Sequence, residues 1–110
     1  MASRTDALVS SLARTASGEG EAADGYGDTT QLRAQLDVTA VSGTLPNLTV
    51  LLEDTLDGTN WNTIGTFAAK TAAGREVITV VTPYADRVRA RWTVTGTTPS
   101  LTFSVIVHGQ

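Results

Sequence analysis

The amino-acid sequence predicts an all-β protein: a single antiparallel β-sandwich, jelly-roll or immunoglobulin-like, with about seven to eight short strands and an extended N-terminal arm. Three observations support this prediction. The chain of 110 residues contains 19 Thr and 7 Ser, and Thr enrichment favours sheet over helix. Apolar and polar residues alternate with period two in several segments. Turn signals containing Gly, Pro or Asp separate these segments at regular intervals.

The first 30 residues are predicted to form a strand and an arm outside a sandwich domain of residues 31–110. Residues 7–15 place Leu8 and Leu12 four apart, as in a helix, but their β-branched and hydroxyl side chains favour a strand. Residues 17–28 contain four Gly and four acidic residues, so they offer no continuous apolar face. We expect a loop or extended arm there, either solvated or docked on a basic partner.

The central segments alternate clearly. Residues 32–40 place Leu, Ala and Val on one face and polar side chains on the other, which is typical of a half-buried antiparallel strand. Residues 48–52 repeat the pattern after a break at residues 42–47, which contains Gly and Pro, so a hairpin is predicted between the two. The Asp57-Gly58 pair predicts a second hairpin, leading into a strand over residues 61–67.

The last third of the chain predicts a turn near Ala73-Gly74 and strands over residues 77–82, 88–94 and 101–107. Residues 94–103 (VTGTTPSLTF) align without gaps with residues 41–50 (VSGTLPNLTV), which predicts two hairpins with one turn design. The last two strands supply the predicted core: Val88, Ala90, Trp92, Val94, Leu101, Phe103, Val105 and Val107.

Composition excludes several classes of function. The net charge of -3 and a pI near 4.9 lack the excess of Lys and Arg that a nucleic-acid surface needs, so no specific nucleic acid is expected as partner. No window approaches the roughly 20 apolar residues of a membrane span, and the N-terminus does not resemble a secretion signal. We therefore expect no membrane partner.

The sequence shows no catalytic constellation, so we expect no enzyme activity, no catalytic residue and no cofactor. There is no Cys, and His108 is the only His, which excludes thiol catalysis, a His-based triad and a multi-His metal site within one chain. Asp54, Asp57 and Asn60 surround Gly58, but the full pattern of a calcium loop is missing, and a hairpin accounts for them. No metal is expected.

Three sets of residues are candidates for binding a partner. Arg87, Arg89 and Arg91 should form a ladder on the outward face of one strand, where Asp37, Glu53 and Glu76 are available as cross-strand partners. The ladder is either paired within the sheet or a basic stripe that binds an acidic partner surface. The arm adds Glu19, Glu21 and Tyr26 as candidate partner-binding residues. Trp61 and Tyr84 form an alternative site, a stacking platform for a glycan.

Three segments resemble small structural proteins of tailed bacteriophages: LDVTAVSGT at residues 36–44, DGTNW at residues 57–61 and VRARWTV at residues 88–94. The resemblance covers roughly residues 12–107 and rests on turn and strand signatures, so it specifies fold better than role. It implies a compact β-sandwich on the head or tail of a virion. No catalytic residue is carried over.

The resemblance implies a non-enzymatic virion protein, foremost a capsid decoration or minor capsid protein that binds the major capsid protein lattice and stabilises the head. The chain would be synthesised in the host cytoplasm and reside on the capsid surface as a homo-oligomer. Thr- and Val-rich strand edges are candidates for pairing with another subunit. The alternatives are a tail tube or baseplate component and a carbohydrate-binding adhesion module.

Overall fold

Six antiparallel strands form one sheet in the computed structural model, which describes residues 3–81 and 83–110. They are β1 (Arg4–Arg14), β2 (Gly18–Glu19), β3 (Gln31–Thr55), β4 (Trp61–Thr66), β5 (Gly74–Val81) and β6 (Arg87–Gly109), with one 3-10 turn at Tyr26–Asp28. The predicted all-β antiparallel fold is confirmed. Met1 and Ala2 of the predicted arm and Thr82 of a predicted strand lie outside the described residues. Within the described ranges, no helix is long and apolar enough to cross a membrane.

Strands β3 and β6 are long and pair with each other along their length, from Leu32 opposite Gly109 to Thr55 opposite Arg87. The first half of β3 and the second half of β6 join β1 and β5 in one layer. The remaining halves join β2 and β4 in the second layer. Because β3 and β6 each contribute to both layers, the six strands supply the predicted number of strand segments.

The hairpins predicted within residues 42–47 and between residues 94 and 101 are wrong, because β3 and β6 bend there and continue. Each bend holds a Gly and a second residue with positive φ: Gly43 (108°) with Leu45 (50°), and Gly96 (123°) with Thr98 (49°). The strands pair on both sides of the bends, with register shifts between them. A Gly with a Pro three residues later fits both a reversing turn and a β-bulge, so the sequence alone does not distinguish the two.

The repeated sequence forms two bends that face each other. A Cβ atom on Gly43 would lie 2.6 Å from the Thr98 carbonyl oxygen, and one on Gly96 would lie 2.8 Å from that of Leu45. Each glycine therefore packs against the backbone of the opposite bend. Bulges that bend a strand let it pass from one layer of a sandwich to the other. The repeated sequence thus forms the corner at which β3 and β6 pass from the first layer to the second.

The core lies between the two layers. Of the eight predicted core residues, seven are buried and Val94 is partly buried. Trp92 of the second layer meets Phe103 of the first in an edge-to-face contact, with ring centroids 5.6 Å apart. The inward face of β3 adds Leu32, Ala34, Leu36, Val38, Leu48, Val50 and Leu52 to the core.

The N-terminal segment is part of the sandwich in this structure, not an arm separate from residues 31–110. Strand β1 pairs with the end of β6, and its Leu8 and Val9 are buried. The segment after it follows the first half of β6 through β2 and an isolated bridge from Ala23 to Val88. The sequence predicts an arm here because the segment contains few apolar side chains. In the fold, this Gly- and acid-rich segment is held mainly by backbone hydrogen bonds, and its glycines let its backbone lie close to the neighbouring strands.

The predicted Asp57-Gly58 hairpin and the turn before Gly74 are both present. The Asp57 carboxylate accepts hydrogen bonds from the backbone amides of Asn60 (2.8 Å) and Thr59 (2.9 Å), which holds the Asp57 pKa far below its ordinary value. At another loop, the Asp86 carboxylate accepts hydrogen bonds from the amides of Gly25 and Gly27, both at 3.0 Å, and these lower the Asp86 pKa.

These two carboxylates make stability depend on pH. Since each folded-state pKa lies below its unfolded-state value, the stabilisation is present above about pH 4 and is lost as the pH falls toward the folded-state pKa. We expect the urea midpoint to fall between about pH 6 and about pH 3. The double variant Asp57→Asn, Asp86→Asn should have a lower midpoint at pH 7 and a flatter profile. The exposed Asp28→Asn is the control, and equal profiles for all three proteins would contradict the prediction.

Candidate partner-binding surface

The predicted arginine ladder lies on the outward face of the second layer. Along β6, Arg87, Arg89 and Arg91 alternate with the buried Val88, Ala90 and Trp92. Because β3 and β2 flank this half of β6, acidic residues lie beside the ladder. Arg89 is opposite Glu53, and Arg91 is opposite Glu19.

Glu53, a predicted cross-strand partner, lies close to two arginines of the ladder. Its carboxylate accepts a hydrogen bond from Arg89 Nε at 2.9 Å, and Arg91 Nη1 lies 4.0 Å away. The Glu53 side chain is only 5% exposed, against 18% for Arg89 and 57% for Arg91. The other two predicted partners form ion pairs elsewhere, Asp37 with Arg75 and Glu76 with Lys70.

Trp61 is a second contact of Arg89, on the face of its guanidinium group. The Arg89 guanidinium lies over the Trp61 ring, 4.0 Å from its centroid, while its Nε donates to Glu53. A planar guanidinium suits both contacts at once, because it stacks on an aromatic face and donates in its own plane. Arg89 is therefore fixed between two partners, and Arg91 is the ladder residue whose guanidinium is left most exposed.

Replacing Arg89 with Ala is expected to lower the free energy of unfolding by about 3 kcal/mol, because it leaves the Glu53 carboxylate buried without its main partner. Arg91→Ala should cost only about 0.5 kcal/mol, as for an exposed ion pair. Urea denaturation at pH 7 measures both. The double variant Arg89→Met, Glu53→Leu removes both charges and should recover most of the loss. If both Ala variants lowered the free energy of unfolding by the same amount, Arg89 would contribute no more to stability than Arg91, and the prediction would be wrong.

The remaining charges make this surface mixed, not uniformly basic. Arg87 Nε donates to Asp24 Oδ1 at 2.6 Å, and this hydrogen bond raises the Arg87 pKa. Glu19 and Glu21, two of the predicted partner-binding residues, are exposed on the edge segment beside β6. The structure therefore gathers the arginines with acidic neighbours. An acidic partner would meet exposed guanidinium groups set among carboxylates.

Tyr26, also predicted to bind a partner, is fully buried and belongs to the core of this chain. Its hydroxyl donates a hydrogen bond to Asp6 Oδ2 at 2.7 Å, and burial together with this bond raises the Tyr26 pKa. The sequence misled here because a lone Tyr among Gly and acidic residues gives no periodic signal of burial. The ring is therefore not on the surface in this fold.

The two rings of the predicted glycan platform have different surroundings. Trp61 is half-buried and carries Arg89 against its ring. Tyr84 is half-buried against the core, and its hydroxyl is 2.5 Å from Thr29 Oγ1. The acidic residues near Gly58 are likewise engaged within the chain, since Asp54 accepts a hydrogen bond from the Ala85 amide at 2.7 Å.

A second surface was missed in the sequence. Val77 and Val81 lie on the outward face of β5 and are 43% and 65% exposed, and Ile106 nearby on β6 is 38% exposed. Val77 and Ile106 both lie opposite Gln35 of β3, so they form one row across the sheet. The period-two pattern of residues 75–81 carries the signal, because it places valines on the face that also holds Arg75 and Thr79.

The fold has counterparts among solved structures, although no protein-family model and no curated protein matches the sequence. The crystal structure of the PBSX exported protein XepA aligns over 96% of this chain with a TM-score of 0.65 and 14% identity. The structure of infectious bursal disease virus, Gx strain, aligns over 97% with a TM-score of 0.57 and 11% identity. The chain spans 36% and 32% of those two chains. At such identities the likeness shows a shared β-fold.

Proposed function

We propose that this chain is a non-enzymatic structural protein of a bacteriophage virion, and specifically a capsid decoration or minor capsid protein that binds the major capsid lattice. The observation that carries the proposal is the fold: nearly the whole chain aligns with part of a phage-encoded protein and part of a viral particle structure. The resemblance of its strand and turn sequences to tailed-phage structural proteins supports the same class.

The chemistry of the described surface supports a binding role. The ladder residues engage neighbouring carboxylates or an aromatic ring, and the loop carboxylates Asp57 and Asp86 are held by backbone amides. Groups held in this way stabilise and orient a rigid surface, and a surface present in many copies on a shell needs such rigidity. We place the lattice contact on the outward face of the second layer, around Arg91.

Quantitative mass spectrometry of separated heads and tails tests the location. Recovery with heads, at a copy number close to a simple fraction of the major capsid protein, would support the decoration role. Recovery with tails at a few to tens of copies would replace it with the tail tube or baseplate alternative. Absence from both fractions would overturn the virion role.

The contact surface has its own test, which uses particles assembled without this protein. Arg91→Glu should reduce binding to these particles at least about tenfold, since it turns an exposed cation into an anion at the contact. Arg33→Glu is the matched control, because Arg33 is also exposed but lies on β3 in the other layer. Equal binding by both variants would remove the arginine ladder from the interface.

A further inference from the structure

The four strands at the edges of the two layers differ in how well they could accept another strand. Strand β1 has two register shifts against β6, β2 contains only two residues, and β4 has six residues and one register shift against β3. Strand β5 pairs with β3 over eight successive residues without a shift. Among the described residues, no strand pairs with the other side of β5.

Native proteins block exposed edges with bulges, short strands, Pro, or charged side chains along the strand. Three of the four edges follow that rule here. Strand β5 is long and regular, contains no Pro, and confines its two charged residues, Arg75 and Glu76, to its N-terminal end, before the β-branched run Val77–Val81. Its outward-facing Val77 and Val81 are exposed, and Ile78 on its inward face is only partly buried. An unblocked edge of this kind is a template for strand addition.

We propose that β5 is a homodimer interface at which β5 of a second copy of this chain adds antiparallel to it, with Thr79 at the two-fold axis. The two first layers would then form one continuous sheet across the dimer. This inference is independent of the proposed virion role. It would be tested in solution with the full chain, so it can fail while particles still carry the protein.

The sequence of β5 favours a second copy as the occupant because it is self-complementary in this register. Thr79 faces Thr79, Val77 faces Val81, and Ile78 faces Val80, and these are favourable cross-strand pairs. Antiparallel pairing requires that opposed residues share a face, and this register satisfies that requirement.

The charges of β5 favour the same arrangement. In this register the paired residues are Val77–Val81 of both copies, so Arg75 and Glu76 lie beyond the pairing and meet no like charge. Parallel pairing in register would instead oppose Arg75 to Arg75 and Glu76 to Glu76, which is destabilising. The charged end of β5 thus selects the antiparallel two-fold arrangement.

Disulfide cross-linking tests the register directly, since the chain has no Cys and an introduced thiol is unique. Opposed Cα atoms in an antiparallel pair are about 4.5 to 5.5 Å apart, within the range that a disulfide bridges. Thr79→Cys should therefore form a covalent dimer in most of the oxidised sample. Thr63→Cys, also an exposed Thr on an edge strand, should remain uncross-linked under the same conditions.

Sedimentation equilibrium tests the interface without a cross-link. Val77→Lys removes both symmetry-related pairs with Val81 and should weaken the dimer about tenfold, whereas Leu12→Lys on the opposite edge should leave it unchanged. Circular dichroism confirms that both variants fold. The proposal is overturned if the native chain is monomeric at its highest soluble concentration or if Val77→Lys leaves the dimer intact. It is also overturned if Thr63→Cys cross-links to the same extent as Thr79→Cys.

Discussion

Gly96→Ala is expected to lower the free energy of unfolding by about 4 kcal/mol, because the added Cβ atom causes both backbone strain and a steric clash. Gly96 has a φ of 123°, which a residue with a Cβ atom rarely adopts. The added methyl group would lie 2.8 Å from the Leu45 carbonyl oxygen and 3.0 Å from that of Thr44. These contacts are with backbone of the opposite bend, so relief requires that the corner of the sandwich move.

Urea denaturation followed by Trp fluorescence measures this loss, because Trp92 lies in the core beside Phe103. Gly43→Ala should behave like Gly96→Ala, since the two bends face each other. Gly74→Ala is the matched control: no atom lies within 4 Å of the added methyl group, and the change should stay within about 0.5 kcal/mol. A loss below about 1 kcal/mol at both bend positions would show that the corner is not rigid.

Deleting residues 1–14 is expected to abolish cooperative folding. The deletion removes β1, exposes one edge of β6 and takes Leu8 and Val9 out of the core. It also removes Asp6, which accepts the hydrogen bond from the buried Tyr26 hydroxyl. Domains of this size are stable by about 5 to 15 kcal/mol, and the loss of a whole strand with its buried side chains is of that order.

Amide hydrogen exchange and near-ultraviolet circular dichroism of the truncated chain measure the outcome. The matched variant Leu8→Ala should fold but lose about 3 kcal/mol, because it deletes one buried side chain and keeps the strand. A truncated chain that unfolds cooperatively at the native midpoint would show that β1 is dispensable. If the deletion unfolds the chain as expected, point variants such as Arg91→Glu are the sound way to study partner binding.

The all-β class could be predicted because it depends on local patterns. Thr-rich composition and alternation of period two over β3 and β6 determine which side chains face the core, and seven of the eight predicted core residues are buried. The outward position of Arg87, Arg89 and Arg91 follows from the same alternation. The Asp57-Gly58 hairpin was likewise predictable, because its hydrogen bonds are made within the loop itself.

Tertiary structure alone decided features that depend on residues far apart in the chain. The sequences at Gly43 and Gly96 signal a change of direction, but whether a strand reverses or bends depends on the opposite bend, 53 residues away. Tyr26 is buried because β1 and the end of β6 enclose it. Arg89 differs from Arg91 because Trp61 and Glu53 both contact it. The sequence by itself thus determined which residues extend and which face they present. Only the folded chain determined how the strands turn, which charges are paired and which edge is left open, because those properties belong to contacts between distant segments.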